Sequence, residues 1–302
     1  MRPTIAVLLA AFNGTPWLKE QVDSILDQEN VDLTLFISVD QSSDDTEAIV
    51  DQLAATDARI KVLPHGKHFG SAGANFFRLF RELDFSPYDF VALSDQDDIW
   101  NLNKLSTAIT ALKVNDAQGY SSNITAFWPD GQKYFIDKSQ AQVKWDYLFE
   151  AAGPGCTYVV TRALAIEFAS FLKTQSEAVS QVQLHDWLLY AFSRAKGYPW
   201  YIDNKSSLLY RQHANNQFGA NVGFSAFLMR AKKVLNGWGF DQSRAIARAI
   251  GLANHPFVEN WSKGTRLGYL QLGLYCKQCR RRMRDKYLFL FACISLFISP
   301  PR

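Results

Sequence analysis

Four short apolar-rich runs separated by amphipathic stretches constrain the fold of this chain more than any other feature. Ile5 to Ala11, Leu33 to Val39, Ile60 to Leu63 and Phe90 to Leu93 are aliphatic-rich and too short for buried helices. A strand with one wet face alternates apolar and polar residues. Ile5 to Ala11 is continuously apolar, so it is expected in a parallel sheet covered on both faces. Between them, Trp17, Val22, Ile25 and Leu26 recur at helical spacing. Glu47 to Ala55 follows the capping-rich Ser42-Ser43-Asp44-Asp45-Thr46, and residues 74–83 present Phe76, Phe77, Leu79 and Phe80 for packing. The order β-α-β-α-β-α-β predicts an α/β fold with a doubly wound sheet.

Ligands in such sheets bind outside the carboxyl ends of the strands. Asn13, Asp40 and Asp95 each follow a strand, so three distant positions are expected at one crevice. Asp95 opens Asp95-Gln96-Asp97-Asp98, in which three carboxylates crowd into four residues. Their repulsion is costly unless a cation or solvent offsets it. Hard oxygen ligands suit Mg²⁺ or Mn²⁺, ions that bridge a protein carboxylate to a diphosphate. The same residues also read as a solvated acidic turn capping the next helix.

Beyond residue 105 the pattern is mixed. Ile124 to Trp128 and Lys133 to Ile136 predict a hairpin around Pro129-Asp130-Gly131. Gly153-Pro154-Gly155-Cys156 reads as a loop entering a strand, Leu164 to Leu172 as a helix, and His185-Asp186-Trp187 as the opening of another. Tyr201 to Asp203 and Ser207 to Tyr210 read as two short strands, followed by a polar loop with His213, Asn215 and Asn216. From about residue 222 the chain reads as helical, basic and amphipathic. One break is therefore expected: an α/β domain over 1–220 and a helical extension over 221–302.

With 48% hydrophobic and 20% charged residues, the 302-residue chain can build a packed core. A net charge of +3 gives no reason to expect nucleic acid. Six cations nevertheless fall between Lys277 and Lys286, ahead of the apolar Tyr287 to Ile298. That tail is too short to span a membrane, which takes about 18 apolar residues. Cations beside aromatics suit an anionic bilayer surface, and a core or homodimer helix is the other reading. Cys276-Lys277-Gln278-Cys279 lacks the second pair of a zinc site, and the four cysteines fit a reducing compartment. The apolar start has a short core and an immediate Asn13-Gly14 turn, so it reads as a first strand, not a signal peptide. The expected location is cytoplasmic, peripheral on the inner face of the membrane.

Several segments together resemble family 2 glycosyltransferases of GT-A fold, a Rossmann-like, doubly wound mixed sheet, and among them the bacterial rhamnosyltransferase-like group. They are Leu8-Leu9-Ala10-Ala11-Phe12-Asn13-Gly14, Ser38-Val39-Asp40-Gln41-Ser42-Ser43-Asp44-Asp45-Thr46 and Gly70-Ser71-Ala72-Gly73-Ala74-Asn75. Ala92-Leu93-Ser94-Asp95-Gln96-Asp97-Asp98-Ile99-Trp100, Gly153-Pro154-Gly155-Cys156, His185-Asp186-Trp187 and Tyr210-Arg211-Gln212-His213 complete the set, over residues 3–220. The Gly66 to Gly73 loop lacks the Gly-Lys-Ser/Thr ending of a P-loop.

The resemblance implies an inverting transferase that moves a sugar, with L-rhamnose the leading candidate, from a dTDP- or UDP-sugar to a hydroxyl of a glycan or lipid-linked acceptor. It implies a divalent cation held by Asp97 and Asp95, with His213 as a further ligand or a surface residue. Ala11, Asn13, Asp40, Asn75, Asp95 and Gln96 would contact the nucleotide sugar, although Asp40 could also cap the helix after it. Asp98 would support the turn. Gly153, Pro154, Gly155, His185 and Trp187 would line the sugar or acceptor pocket, and Asp186 would be the general base, with an ordinary N-cap as its other reading. A nucleotidyltransferase and an inactive sugar-nucleotide-binding protein are the alternatives. The first should carry a basic glycine-rich loop near its start, and Asn13-Gly14 is not one.

Overall fold

The computed structural model describes residues 1–213 and 237–298. The expected loop at Asn215 and Asn216, and the part of the extension before residue 237, lie outside them. The first half runs β1 (Thr4–Ala11), α1 (Leu18–Leu26), β2 (Asp32–Val39), α2 (Thr46–Thr56), β3 (Ile60–Val62), α3 (Ala72–Glu82) and β4 (Phe90–Ser94). It continues through β5 (Ile99–Trp100), α4 (Lys104–Val114), β6 (Gly119–Phe127), β7 (Lys133–Ile136), β8 (Val159–Thr161), α5 (Arg162–Thr174), α6 (Ser176–Val179), α7 (His185–Ala195) and β9 (Trp200–Arg211). The helices α8 (Trp238–Ala249), α9 (Pro256–Ser262), α10 (Arg266–Leu274), α11 (Cys276–Cys279) and α12 (Met283–Ile298) follow.

The sheet order is β3-β2-β1-β4-β8-β6-β9-β5, with β7 hairpinned onto β6. β3, β2, β1 and β4 are parallel, and β8 joins β4 antiparallel, so the sheet is the mixed one expected. Ile5, Val7 and Leu9 of β1 belong to one buried core with Leu18, Val22 and Ile25 of α1 and Val50 of α2. On the other face α3 packs against β1 and β2, with Phe76, Leu79 and Phe80 buried. Full burial of each such side chain contributes ~1.5–3 kcal/mol, which is why apolar-rich runs mark these strands.

Three elements differ from the sequence expectation. β6 starts at Gly119, because Gly119 pairs with Trp200 and a Cβ there would lie 2.1 Å from the Trp200 ring. β9 is one strand rather than two. Its pairing to β6 jumps from Asp203–Ser122 to Ser206–Asn123, so Asn204 and Lys205 bulge outward and read as a polar break. β5, two residues long, pairs with β9 and carried no sequence signal.

The described residues form two compact units, one of 1–139, 152–174 and 183–213, the other of 140–151, 175–182 and 237–298. The first contains the whole sheet. The second therefore also recruits two earlier segments, which a single break near 220 omits. Aromatic residues explain the recruitment of 140–151: Trp145 stacks on Phe257 at 4.5 Å, and Phe149 meets Phe289 at 5.0 Å and Trp261 at 5.3 Å, while the Gln181 carbonyl of the other segment accepts from Gln242 Nε2 at 3.2 Å. Arg281, 5% exposed, pairs there with Asp146 at 3.3 Å and Glu150 at 3.7 Å. Among the described residues no helix is long and apolar enough to cross a membrane.

Candidate active site

Sheet register builds the crevice. Ala11 pairs with Val39 and Leu9 with Ser94, so β1, β2 and β4 release their loops at neighbouring heights. Asn13 adopts the left-handed conformation (φ 46°), which asparagine tolerates better than most residues. Its Oδ1 accepts the Ser43 N–H at 2.8 Å, and the Gly14 N–H donates to Thr46 Oγ1 at 2.8 Å. The turn after β1 is thereby stapled to the 42–46 loop. Gln96 Oε1 accepts the Phe12 N–H and its Nε2 donates to the Phe12 carbonyl, both at 2.8 Å. This clasp mimics a strand partner and holds the half-exposed Phe12 ring at the edge of the crevice. A Cβ on Gly14 would meet Gln96 Oε1 at 2.3 Å.

Asp40 does not cap α2. Its carboxylate accepts the N–H groups of Gln41 at 2.9 Å, Phe69 at 2.7 Å and Gly70 at 2.9 Å, and so shapes the glycine-rich loop. Asn75 corrects the sequence expectation. It is 2% exposed, its Nδ2 donates to the Ser38 carbonyl at 2.9 Å, and its Oδ1 accepts from Ser38 Oγ. Its amide is used inside the fold, tying α3 to β2 beneath the crevice.

The acidic cluster is divided. Ligand atoms of Asp95, Asp98 and Cys156 lie within 4.8 Å of one another, while Asp97 Oδ2 lies 2.7 Å from His213 Nε2. The His213 ring stacks on Trp17 at 3.9 Å. The expected set of Asp95, Asp97 and His213 is thus two neighbouring groups, and Asp98 belongs to the cluster and not merely to the turn. Burial pushes the Asp95 carboxyl up to about 7, with repulsion from Asp97 and Asp186 adding to it. Burial, then Asp97 and Asp95, raise Asp98 well above the usual carboxylate range. Asp98 Oδ1 accepts the Arg211 N–H at 3.3 Å, and its Oδ2 has no hydrogen-bond partner.

Several residues of this cluster escaped the sequence reading. Lys104 is fully buried with Nζ 3.5 Å over the Trp100 ring, and burial lowers its ammonium to about 7 against the pull of Cys156 and Asp98. A lysine at the start of a helix gives no hint of this. Tyr210 is raised by burial and then by the carboxylates, and the Arg211 Nε donates to the Asp97 carbonyl at 2.8 Å. Their position just before His213 was the available signal.

Asp186 lies in the first turn of α7, where Oδ1 accepts the Trp187 N–H at 2.7 Å. Burial pushes this carboxyl up to about 6, while backbone bonds from Trp187 and Gly155 hold it down. Gly153 and Pro154 lead into a tight turn in which the Pro154 carbonyl accepts the Thr157 N–H at 3.0 Å and Thr157 Oγ1 at 2.7 Å. A Cβ on Gly155 would lie 2.6 Å from His185 Nε2 and 3.1 Å from Asp186 Cβ. His185 stacks on Phe76 at 3.9 Å, and burial lowers its imidazole to about 3. Trp187 is 6% exposed and packs in the interior, which corrects its expected place in a pocket wall.

A β-α-β half-sheet ending in clustered carboxylates, with a half-buried aspartate on a later helix close by, is the arrangement of a nucleotide-sugar transferase of GT-A type. Residues 6–171 match Glycosyl transferase family 2, and the chain belongs to that family. It is 43% identical to the dTDP-rhamnosyl transferase RfbG of Shigella flexneri over 96% of this chain and all of that one. It is 29% identical over 55% of its length, and 63% of the other's, to the UDP-Glc:alpha-D-GlcNAc-diphosphoundecaprenol beta-1,3-glucosyltransferase WfgD of Escherichia coli. Among solved structures, S. aureus TarS 1-349 in complex with UDP-GlcNAc superposes with a TM-score of 0.54 at 13% identity, covering 98% of this chain and 88% of that one. Likeness at that identity shows the fold alone. Membership in the family sets aside the nucleotidyltransferase alternative.

Proposed function

We infer that the protein is an inverting transferase that moves a deoxysugar, L-rhamnose, from its dTDP-activated form to a hydroxyl of a lipid-linked glycan in cell-surface polysaccharide synthesis. The observation that carries this reading is Asp186, a half-buried carboxylate in the first turn of α7, set against Gly155 and near enough to the strand-end acids for its charge to raise Asp95. The printed activities of RfbG and WfgD, a dTDP-rhamnosyl transferase and a diphosphoundecaprenol glucosyltransferase, support the donor and the lipid-linked acceptor. The acceptor oxygen attacks the anomeric carbon as the bond from that carbon to the diphosphate breaks. Asp186 takes the hydroxyl proton. The nucleoside would lie against Ala11, Phe12 and Asn13, and Asp40, with three amides already bonded, keeps one lone pair on Oδ2 with which to accept a pyrimidine N–H. Asn75 and Gln96 hold the wall of that pocket.

The donor set fits Mg²⁺ or Mn²⁺, since crowded oxygen ligands with an unpartnered buried oxygen on Asp98 suit a hard dication. Asp97 and Asp95 would hold the ion, with Asp98 Oδ2 available beside Asp95 and His213 beside Asp97. Once bound, the ion supplies positive charge to the departing diphosphate. Enzyme acting on a lipid-linked acceptor would work at the cytoplasmic face of the membrane, touching it through residues 277–298.

Calorimetric titration with dTDP, UDP and GDP, in Mg²⁺ or Mn²⁺ and in chelator, tests the reading. We expect dTDP to bind best, the metal to strengthen binding, and Asp97→Ala to abolish that dependence. A preference for GDP overturns the donor, and metal-independent binding by the wild type overturns the role of Asp97.

A further inference from the structure

We propose that His185 is a positioning residue, an uncharged flat spacer clamped between Phe76 and Gly155 that aims Asp186. This rests on the reading of Asp186 as the base. Three contacts set the clamp. The imidazole stacks on Phe76 at 3.9 Å with 23° between the planes. Its Nε2 faces Gly155 so closely that a Cβ there would lie 2.6 Å away. Below it, a Cβ on Gly73 would lie 2.1 Å from the Gln183 carbonyl oxygen and 3.6 Å from the His185 nitrogen. Two glycines and one aromatic face therefore fix the backbone and side chain of the residue just before Asp186. Glycine is required at 73 and 155 because only a missing Cβ allows these approaches.

The ring is held by packing: His185 Nε2 is buried without a hydrogen-bond partner, pressed between Phe76 and Gly155. Burial keeps the imidazole neutral, which spares Asp186 a neighbouring cation that would lower its basicity. The loop entering α3 also supplies the Phe69 and Gly70 amides to Asp40, so one segment, residues 69–76, shapes the nucleotide side and seats the base. His185 thus acts through Asp186 and touches no reacting atom.

The test compares His185→Gln, which keeps a planar group of similar reach but cannot ionise, with His185→Ala, which removes the spacer. Turnover, donor KM and the pH–rate profile are measured for both, beside Asp186→Asn. We expect His185→Gln to stay within about tenfold of wild type with an unmoved profile. His185→Ala should lose roughly 10²-fold in kcat, the scale of a displaced catalytic group, with donor KM unchanged and the profile shifted to lower pH as water reaches Asp186. Gly73→Ala, checked for folding by its melting temperature, should repeat that kcat loss. If His185→Gln is as impaired as His185→Ala, the imidazole nitrogens are needed and the inference fails. It fails too if His185→Ala turns over normally. Normal turnover of Asp186→Asn instead overturns the base itself.

Discussion

Asp186 is held between opposing influences, burial that raises its carboxyl and amide bonds that lower it, and the balance near 6 suits a base working at neutral pH. The sign of the pH dependence follows. The carboxylate must be unprotonated to accept the acceptor's proton, so kcat/KM should be flat above about 6 and fall tenfold per pH unit below it. Asp186→Asn keeps the shape and the hydrogen bond from Trp187 but cannot accept a proton. It should cost about 10²–10⁴-fold in kcat and leave donor affinity unchanged. A profile that still breaks near 6 in the variant assigns that ionisation elsewhere. Asp40 and Asp95 were placed together in the sequence because strand ends alone point them at a crevice, whereas Asp186 was singled out only through the family resemblance. Asn75 was misread because its neighbours match a family motif while its amide serves the fold. Lys104 and Cys156 were not legible as a pair with Asp98, since their proximity depends on a strand pairing across the sheet.

At the scale of elements, β1 and β4 were readable because burial on both faces leaves a nearly continuous apolar run, and β2 and β3 because aliphatic residues dominate them. β6 and β9 were harder, being rich in serine, tyrosine and a polar bulge at Asn204-Lys205. The basic run at 277–286 misled in a more instructive way. As a run of six cations it reads as a bilayer-facing surface, yet Arg281 is buried against carboxylates of Asp146 and Glu150, far away in the chain. Its Nη2 also donates to the Ala151 carbonyl at 2.6 Å. Removing one partner of such a pair strands an uncompensated buried charge, so Arg281→Met should destabilise the protein by about 3–5 kcal/mol in denaturant unfolding. Adding Asp146→Leu should recover part of that loss. Unfolding of Arg281→Met at the wild-type midpoint would mean the pair contributes nothing.

At the scale of the whole molecule, the question is what meets the outer side of α12. Met283, Tyr287, Phe291, Ile294 and Ile298 are all exposed and, at 3.6 residues per turn, lie on one side of the helix. Phe289, Ala292, Cys293 and Leu296 fill the opposite, buried side. A helix apolar all round is normally covered. Lys277 and Arg282 stand exposed near its start and Lys286 is half-exposed, whereas Arg281 is used internally, Arg280 pairs with Glu150 and Asp285, and Arg284 pairs with Asp285. Three cations beside anionic lipid contribute about 1 kcal/mol each. That is half of what the basic run alone suggests, so insertion of Tyr287 and Phe291 must supply the rest. Deleting the helix would also remove the buried Phe289 from its unit, so point substitutions make the cleaner test. The wild type should float with anionic vesicles and less so with neutral ones or at high salt. Phe291→Glu should abolish flotation while leaving donor binding intact. If Phe291→Glu floats as well as the wild type, the membrane does not cover this face. If it loses no flotation but converts a dimer to a monomer in sedimentation, a second copy of the chain does.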